Sequence, residues 1–273
     1  YDINLIKNND PDVKGFDMYS MCAENFSDLA WELFGRYIAE NDHLIYLDLD
    51  YRHLTDEKTT LLFKYLTRSM SLKTLCLLGN SFGPGGVQSM IPFLKNAPNL
   101  KNLKIGYNHN ISAECFRCLV NSLHGGGSIE HLSFGKCSID DITILEIHSL
   151  PHLKILNLEC NNIRIIPSLD KYTNLEELLL DGNSIGMQGC RSISNLLQNN
   201  NSRLRCLSLP SNDIGDEEAE ILANSLKHNT TLKKLYLVGN KFKEKGLMAF
   251  LMLLNDISSI GNTYNSNHTL TGL

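Results

Sequence analysis

The chain has 273 residues, of which 42% are hydrophobic and 20% are charged, which is enough apolar material for a sizeable core and argues against a largely disordered protein. Its 25 basic and 30 acidic residues give a net charge of −5, which argues against a general binder of nucleic acid. The longest apolar run, residues 247–254, is far shorter than the roughly 20 residues of a membrane span. We therefore expect neither a nucleic-acid nor a membrane partner.

The first predicted element is a helix within residues 16–41. Its apolar side chains recur at helical spacing, and they are Phe26, Leu29, Ala30, Trp31, Leu33, Phe34, Tyr37 and Ile38. Because the first unit of a repeat array exposes one side of its core, we expect this helix to cover that side. A degenerate copy of the repeat described next is expected at Ile3, Leu5 and Asn8, so residues 1–43 are predicted to form a degenerate repeat and a capping helix.

Residues 44–256 repeat the pattern L-x-x-L-x-L-x-x-N/C-x-L. Eight clear copies begin at Leu44, Leu72, Leu100, Ile129, Leu153, Leu175, Leu204 and Leu232. Each copy predicts a short strand that directs alternate Leu side chains inward, and stacking of the strands in parallel buries these rows. The Asn that follows each strand is expected to bond to the backbone of adjacent turns. Cys137 substitutes for this Asn, and Arg52 departs from it, so the ladder should be imperfect at the first clear copy.

Helices are predicted between the strands of the longer copies. The clearest begins at Asp216, with acidic residues in its first turn and Lys227 and His228 near its end, as the helix dipole favours. Similar helical segments cover about residues 86–94, 112–123, 189–197 and 246–254. The copy from Leu153 to Leu175 has only 22 residues and contains Pro167, so we expect it to lack a full helix.

The copies of 28 and 29 residues with a helix in each resemble the ribonuclease-inhibitor class of leucine-rich repeats. This class also occurs as the sensor arm of NOD-like receptors and in Ran GTPase-activating proteins. The resemblance implies an α/β fold, a horseshoe-shaped solenoid with a parallel sheet on its concave side and helices on its convex side. Residues 257–273 contain a weaker copy at Ile257 and Ile260 and no visible cover, so we expect a partial terminal repeat of a truncated chain.

No motif predicts catalysis, a metal site or a cofactor. Cys115 and Cys118 have C-x-x-C spacing without a second pair of ligands, and no Gly-Lys-Ser/Thr follows the glycines of residues 79–86. The nine histidines show no spacing typical of a nucleophile and its base. We therefore expect a non-enzymatic protein without a small-molecule substrate. Cysteine pairs are missing from both ends of the array, which favours reduced thiols and a cytoplasmic location.

The predicted partner-binding surface is the concave strand face, where the residues flanking the buried Leu positions point to solvent. The predicted contact residues are Tyr46, Asp48, Tyr51, Lys104, Tyr107, His131, Asn157, Glu159, Glu177, Leu179, Lys234 and Tyr236. For any single one of them, a solvated strand residue is an equally good interpretation. Acidic and basic patches alternate along the array, which favours a protein partner with complementary patches.

The leading hypothesis is a scaffold for protein–protein interaction. Two alternatives follow from the resemblance: a GTPase-activating regulator of a small GTPase, and the sensor arm of a NOD-like receptor. The first would be expected to carry an acidic tail after the repeats, which this sequence does not contain, and the second would require an ATPase domain before Tyr1.

Overall fold

A computed structural model describes residues 3–19, 21, 25–67, 71–123, 128–141, 150–166, 169, 172–255 and 266–272. The chain divides into two compact units, Tyr1–Ser138 and Ile139–Leu273. In each unit, short parallel strands alternate with helices, and neighbouring strands in space are also neighbours along the chain. The predicted α/β repeat architecture with a parallel sheet is therefore confirmed.

Unit 1 contains a five-stranded parallel sheet. Its strands are β1 (Gly15–Asp17), β2 (Tyr46–Asp48), β3 (Thr74–Cys76), β4 (Asn102–Lys104) and β5 (His131–Ser133). Its described helices are α1 (Ile3–Lys7), α2 (Asp28–Glu40), α3 (Asp56–Leu66), α4 (Pro84–Lys95) and α5 (Ala113–Ser122). The central residues of the strands pair in register and form one fully buried row, which consists of Phe16, Leu47, Leu75, Leu103 and Leu132.

Unit 2 repeats this arrangement with four described strands and three described helices. The strands are β6 (Ile155–Asn157), β7 (Glu177–Leu179), β8 (Cys206–Ser208) and β9 (Lys234–Tyr236). The helices are α6 (Met187–Gln198), α7 (Asp216–Ser225) and α8 (Glu244–Leu254). Its buried row is Leu156, Leu178, Leu207 and Leu235, which are paired in register. No helix lies in the described residues between β6 and β7, as predicted.

The predicted asparagine ladder is present in both units. In unit 1, the side-chain amide of Asn80 donates to the carbonyls of Leu49 and Leu77, both at 3.0 Å, and its oxygen accepts from the backbone N–H of Arg52 and Leu54. In unit 2, Asn183 donates in the same way to Leu158 at 3.0 Å and Leu180 at 2.9 Å. Each Asn thus forms hydrogen bonds with backbone groups of two adjacent turns, and these groups have no partner in the sheet.

Arg52 alters the ladder at the place where the sequence departs from the pattern. Its Nε donates to the carbonyl of Asp50 at 2.8 Å, and its guanidinium reaches back to the carbonyls of Met18, Tyr19 and Met21 at 3.3–3.5 Å. A guanidinium has no acceptor, so it replaces only the donor half of the asparagine.

The start of unit 1 differs from the sequence prediction. The degenerate copy expected at Ile3, Leu5 and Asn8 is wrong because Ile3–Lys7 forms helix α1. The first strand is instead Gly15–Asp17, where Phe16 takes the position of the repeat leucine and pairs with Leu47. The predicted helix within residues 16–41 is confirmed over α2, whose Phe34 ring lies 5.2 Å from that of Phe16.

The predicted helices of the later copies are confirmed as α4 to α8. Sequence analysis did not single out α3, although Thr55 provides an N-cap oxygen for the backbone N–H of Lys58. Asp216, which opens α7, also binds the backbone at the start of α8 in the next repeat. The Asp216 carboxylate accepts from the backbone N–H of Lys243 at 2.7 Å and of Gly246 at 2.8 Å, and these bonds lower the pKa of Asp216.

The described C-terminal residues, 266–272, lie beside β9. The copy expected at Ile257 and Ile260 lies outside the described residues, and Gly272 holds the bridging position beside Lys234. Asn267 donates to the carbonyl of Leu226 and accepts from backbone N–H groups two and three residues later, as Asn229 does one repeat earlier. Nowhere in the described ranges does a helix combine the length and apolar character that crossing a bilayer requires.

Candidate protein-binding face

The exposed face of each sheet is built from the first and third residues of every strand. In β2, Tyr46 is exposed and Asp48 is half-buried, whereas Leu47 between them is inaccessible. This alternation follows from the pleat, which directs successive side chains to opposite faces. The strand scaffold therefore holds a fixed array of outward side chains.

In unit 1, register pairing aligns two columns on this face. The first contains Tyr46, Thr74, Asn102 and His131, and the second contains Asp17, Asp48, Cys76, Lys104 and Ser133. Four predicted contact residues, Tyr46, Asp48, Lys104 and His131, thus lie on one surface. Asn102 is tied to it by a 2.8 Å hydrogen bond from its side-chain amide to the hydroxyl of Thr74.

Asp48 at the end of β2 and Asp50 just beyond it are held by hydrogen bonds. The Tyr46 hydroxyl donates to Oδ2 of Asp48 at 2.7 Å, and the backbone N–H of Asp50 donates to Oδ1 of Asp48 at 2.9 Å. Asp50 in turn accepts from the backbone N–H of Leu78 at 2.6 Å. Burial raises the pKa of Asp50 to about 6, with the negative charge of Asp48 adding to the effect, while the Leu78 bond and Lys104 oppose it.

Asp48, Asp50 and Cys76 place their ligand atoms within 4.8 Å of one another, and no other such group occurs in the described ranges. Burial raises the pKa of the Cys76 thiol to about 12, and the charge of Asp50 adds to this. Without a bound metal, the thiol therefore stays protonated near neutral pH. Cys115, of the C-x-x-C pair, is buried and lies 3.3 Å from the Ser112 hydroxyl.

Tyr51 and Tyr107 lie just beyond the strands, in the left-handed backbone region at φ of 55° and 62°. The ring of Tyr51 covers Gly79, where an added Cβ would lie 2.2 Å from the ring carbon Cδ1. This contact requires glycine at residue 79 and leaves 56% of Tyr51 exposed. The ring of Tyr107 is instead capped by Lys136, whose Nζ lies 4.8 Å from the ring centroid.

In unit 2, the two columns are Ile155, Glu177, Cys206 and Lys234, and Asn157, Leu179, Ser208 and Tyr236. The predicted contact residues Asn157, Glu177, Leu179, Lys234 and Tyr236 all lie on this surface. Glu159 follows β6, and its backbone N–H donates to the side chain of Asn157 at 2.9 Å. Burial raises the pKa of Cys206, which lies between Glu177 and Lys234; the glutamate adds to this rise and the lysine opposes it.

Asp181 occupies the position in unit 2 that Asp50 occupies in unit 1, two residues beyond the strand. The neighbouring repeat there provides Pro210 in place of Leu78, and proline has no N–H to donate. Oδ1 of Asp181 is accordingly buried without a hydrogen-bond partner in the part of the chain that the structure describes. Sequence analysis missed this difference, although the alignment of Pro210 with Leu78 could have revealed it.

Comparison with known proteins agrees with the repeat pattern. The family model for the leucine-rich repeat matches residues 149–164, 200–220 and 228–251. NACHT, LRR and PYD domains-containing protein 5 of Mus musculus is 28% identical over 233 residues, which cover 79% of this chain and 20% of that protein. Rho GTPase-activating protein gacW of Dictyostelium discoideum is 24% identical over 228 residues, which cover 82% of this chain and 18% of that protein.

The chain thus spans about a fifth of the length of these curated relatives. Among solved structures, the C-terminal domain of tropomodulin from Caenorhabditis elegans matches 55% of this chain and 89% of that chain, with a TM-score of 0.45 and 13% identity.

Proposed function

Since the chain is a leucine-rich repeat protein, we propose that it is a non-enzymatic scaffold that binds another protein through the exposed strand face. One observation carries the proposal: tyrosines stand outward on a strand scaffold whose register is fixed by buried leucines. Tyr46, Tyr51 and Tyr236 are 38%, 56% and 41% exposed. A rigidly held tyrosine buries much area on binding for little loss of rotamer freedom, which makes it a good anchor at a protein interface.

The charges on the face support a protein partner over nucleic acid. Carboxylates and ammonium groups are interspersed, and the acidic residues include Asp48 and Asp50, which would repel phosphate. Interspersed charges suit a partner with a complementary pattern. The concave geometry of the face, the ribonuclease-inhibitor subclass and the cytoplasmic location remain predictions.

The experiment that tests the proposal places a photo-crosslinking amino acid at Lys104 or Lys234 on the strand face. Matched control positions are Gln88 on α4 and Gln188 on α6, which are exposed on helices. In an extract of the organism from which the protein comes, we expect a protein to be crosslinked from a strand position and not from the helix position of the same unit. Crosslinking from the helix positions alone would contradict the proposal.

The crosslinked partner, once purified, permits a second measurement. We expect Tyr107→Ala and Tyr236→Ala to weaken its binding in calorimetry, by about fivefold or more for an anchor residue. Their melting temperatures should stay close to that of the unmodified chain because Tyr236 is exposed and the half-buried Tyr107 is not part of a buried row. Unchanged affinity in both variants would place the contact surface elsewhere.

A second candidate function is regulation of a small GTPase, which the relative named as a Rho GTPase-activating protein favours. It is distinguished by the rate of phosphate release from a purified Rho-family GTPase loaded with GTP. The scaffold proposal expects no change in that rate when the chain is added, and a clear acceleration would favour the regulator. The sensor arm of a NACHT protein is compatible with the scaffold proposal because it would also act by binding protein.

A further inference from the structure

The tyrosines of unit 1 differ in whether a lysine or arginine of the same chain lies over the ring; Tyr19, Tyr46 and Tyr51 are exposed, and Tyr107 is half-buried. The guanidinium of Arg52 lies 6.0 Å from the ring centroid of Tyr19, and Nζ of Lys136 lies 4.8 Å from that of Tyr107. Within the described ranges, no lysine or arginine lies over the rings of Tyr46 and Tyr51. Two aromatic faces that could attract a cation are therefore open to a partner.

Carboxylates lie close to the Tyr46 ring and next to Tyr51 in the sequence. Asp48 lies on the same strand between Tyr46 and Tyr51, Asp17 pairs with Asp48 in register, and Asp50 directly precedes Tyr51. No lysine or arginine of the described ranges lies within ion-pair distance of these three carboxylates. Burial is the main cause of the raised pKa of Asp50; the charges of Asp48 and Asp17 add to the rise, and the Leu78 N–H and Lys104 oppose it.

Both open rings are fixed before any partner binds. The Tyr46 hydroxyl donates to Asp48 at 2.7 Å, and the Tyr51 ring lies against Gly79. Each carboxylate oxygen can accept more than one hydrogen bond, so Asp48 keeps acceptor capacity despite its two internal donors. Because these side chains are already held in place, binding a cation here would cost little conformational entropy.

We propose that the acidic-aromatic patch, defined as Asp17, Tyr46, Asp48, Asp50 and Tyr51, binds an arginine side chain of the protein partner. This inference rests on the proposed function and names the chemistry of that contact. A guanidinium suits the patch better than an ammonium because it stacks flat on an aromatic ring and directs a fork of N–H donors to carboxylates. The net negative charge of the patch provides the complementarity.

The test uses a short acetylated peptide with two arginines separated by glycine, titrated into the full chain and followed by amide NMR. We expect shifts at the backbone amides of Asp48, Asp50 and Leu78. The same peptide with citrulline, which keeps the shape of arginine without the charge, should produce no shifts. The peptide with lysine in place of arginine should bind at least about threefold more weakly. Equal binding of the citrulline peptide, or no shift at millimolar arginine peptide, would overturn the inference.

Matched double variants separate the patch from general charge attraction. Asp17→Asn with Tyr51→Ala removes one charge and one ring from the patch, and Glu177→Gln with Tyr236→Ala removes the same groups from unit 2. We expect about a tenfold loss of affinity, or about 1.4 kcal/mol, from the first pair and less than about a twofold change from the second. Equal losses from both pairs would overturn the inference. Asp48→Asn provides a third variant, and melting curves establish that each one folds.

The results of this test and of the crosslinking test distinguish failure of the arginine contact from failure of the scaffold proposal. A partner that crosslinks to the strand face but is unaffected by the patch variants, together with no peptide binding, would reject the arginine contact alone. Peptide binding at the patch without a partner on the strand face would reject the scaffold proposal alone.

Discussion

The strand faces of the two units share one backbone plan but differ in charge and in how their acidic residues are held. In unit 1, Asp50 accepts a 2.6 Å hydrogen bond from the backbone N–H of Leu78. In unit 2, Asp181 holds the same position, but Pro210 offers it no donor and its Oδ1 is left without a partner among the described residues. A single residue in the neighbouring repeat therefore decides whether a carboxylate on this face is anchored.

The charge balance differs in the same way. In both units a lysine lies two strands away from a carboxylate of the face, Lys104 from Asp48 and Lys234 from Glu177. Unit 1 differs because Asp17 pairs with Asp48 in register, whereas in unit 2 Glu176 lies 3.8 Å from Arg205. The scaffold thus fixes where side chains stand, and the residue types decide what each unit can attract.

The largest effect is expected for a charge placed in a buried row. Leu156→Asp should destabilise unit 2 by several kcal/mol because an unpaired carboxylate would enter the core, and the cost of burying it is about 2–7 kcal/mol or more. Asn157→Asp, one residue further and on the exposed face, is the matched control and should change stability little. Thermal melting and amide hydrogen exchange check both, and native-like melting of Leu156→Asp would contradict the buried row.

Removing the donor of Asp50 should reproduce in unit 1 the situation of Asp181. Leu78→Pro deletes the N–H and leaves a half-buried carboxylate unpaired, so we expect a loss of about 1–3 kcal/mol in the free energy of unfolding. Leu78→Ala keeps the N–H and serves as the control for the lost side chain. Denaturant unfolding that gives the same stability for both variants would show that the hydrogen bond contributes nothing.

Asp50→Asn is expected to stabilise the protein at neutral pH. Because the pKa of Asp50 is raised to about 6, the folded chain keeps a proton that the unfolded chain loses, and stability falls as the pH rises from about 4 to about 6. The amide cannot ionise, so the variant should gain about 1 kcal/mol at pH 7 after allowance for solvent screening. Denaturant unfolding at several pH values checks this, and a variant that is less stable than the original at pH 7 would contradict it.

The smallest effect concerns binding of the arginine peptide. Asp50 is faced by the charges of Asp48, Asp17 and Lys104 and by the neutral thiol of Cys76. Its protonation between about pH 7.5 and about pH 5 should weaken peptide binding about threefold, because one attracting charge is lost. Calorimetry measures this dependence, which should be flattened in Asp50→Asn. A peptide that binds more tightly at the lower pH would contradict the assignment.

Much of the fold could be predicted because its signals are local in sequence. The buried rows at Leu75 and Leu178, the asparagine ladder and the helices after the strands each repeat at regular spacing. Strand β1 was missed because Phe16 replaces the expected leucine, and the hydrogen-bonding role of Asn267 was missed because it follows Asn229 by 38 residues, not by 28 or 29. The cap that Asp216 places on the next helix was also missed because the accepting carboxylate and the donating backbone N–H groups belong to different repeats.

The candidate face could be predicted as a set of outward positions, but its chemistry could not. Tyr46, Asp48 and Lys234 were placed on it from their spacing, and the structure places them there. That Tyr107 is covered by Lys136 while Tyr51 is open depends on which side chain the adjacent repeat presents.

The sequence alone determined the repeating strand, the inward rows and the outward columns, because alternation along a pleated strand and a fixed repeat length dictate them. Tertiary structure decided which outward groups are anchored, neutralised or open. Those properties depend on contacts between neighbouring repeats, whose residues are about one repeat apart in sequence but whose strands are only about 4.8 Å apart in space. At that distance, one donor or one cation in the neighbouring repeat decides whether an outward side chain is bonded, neutralised or open.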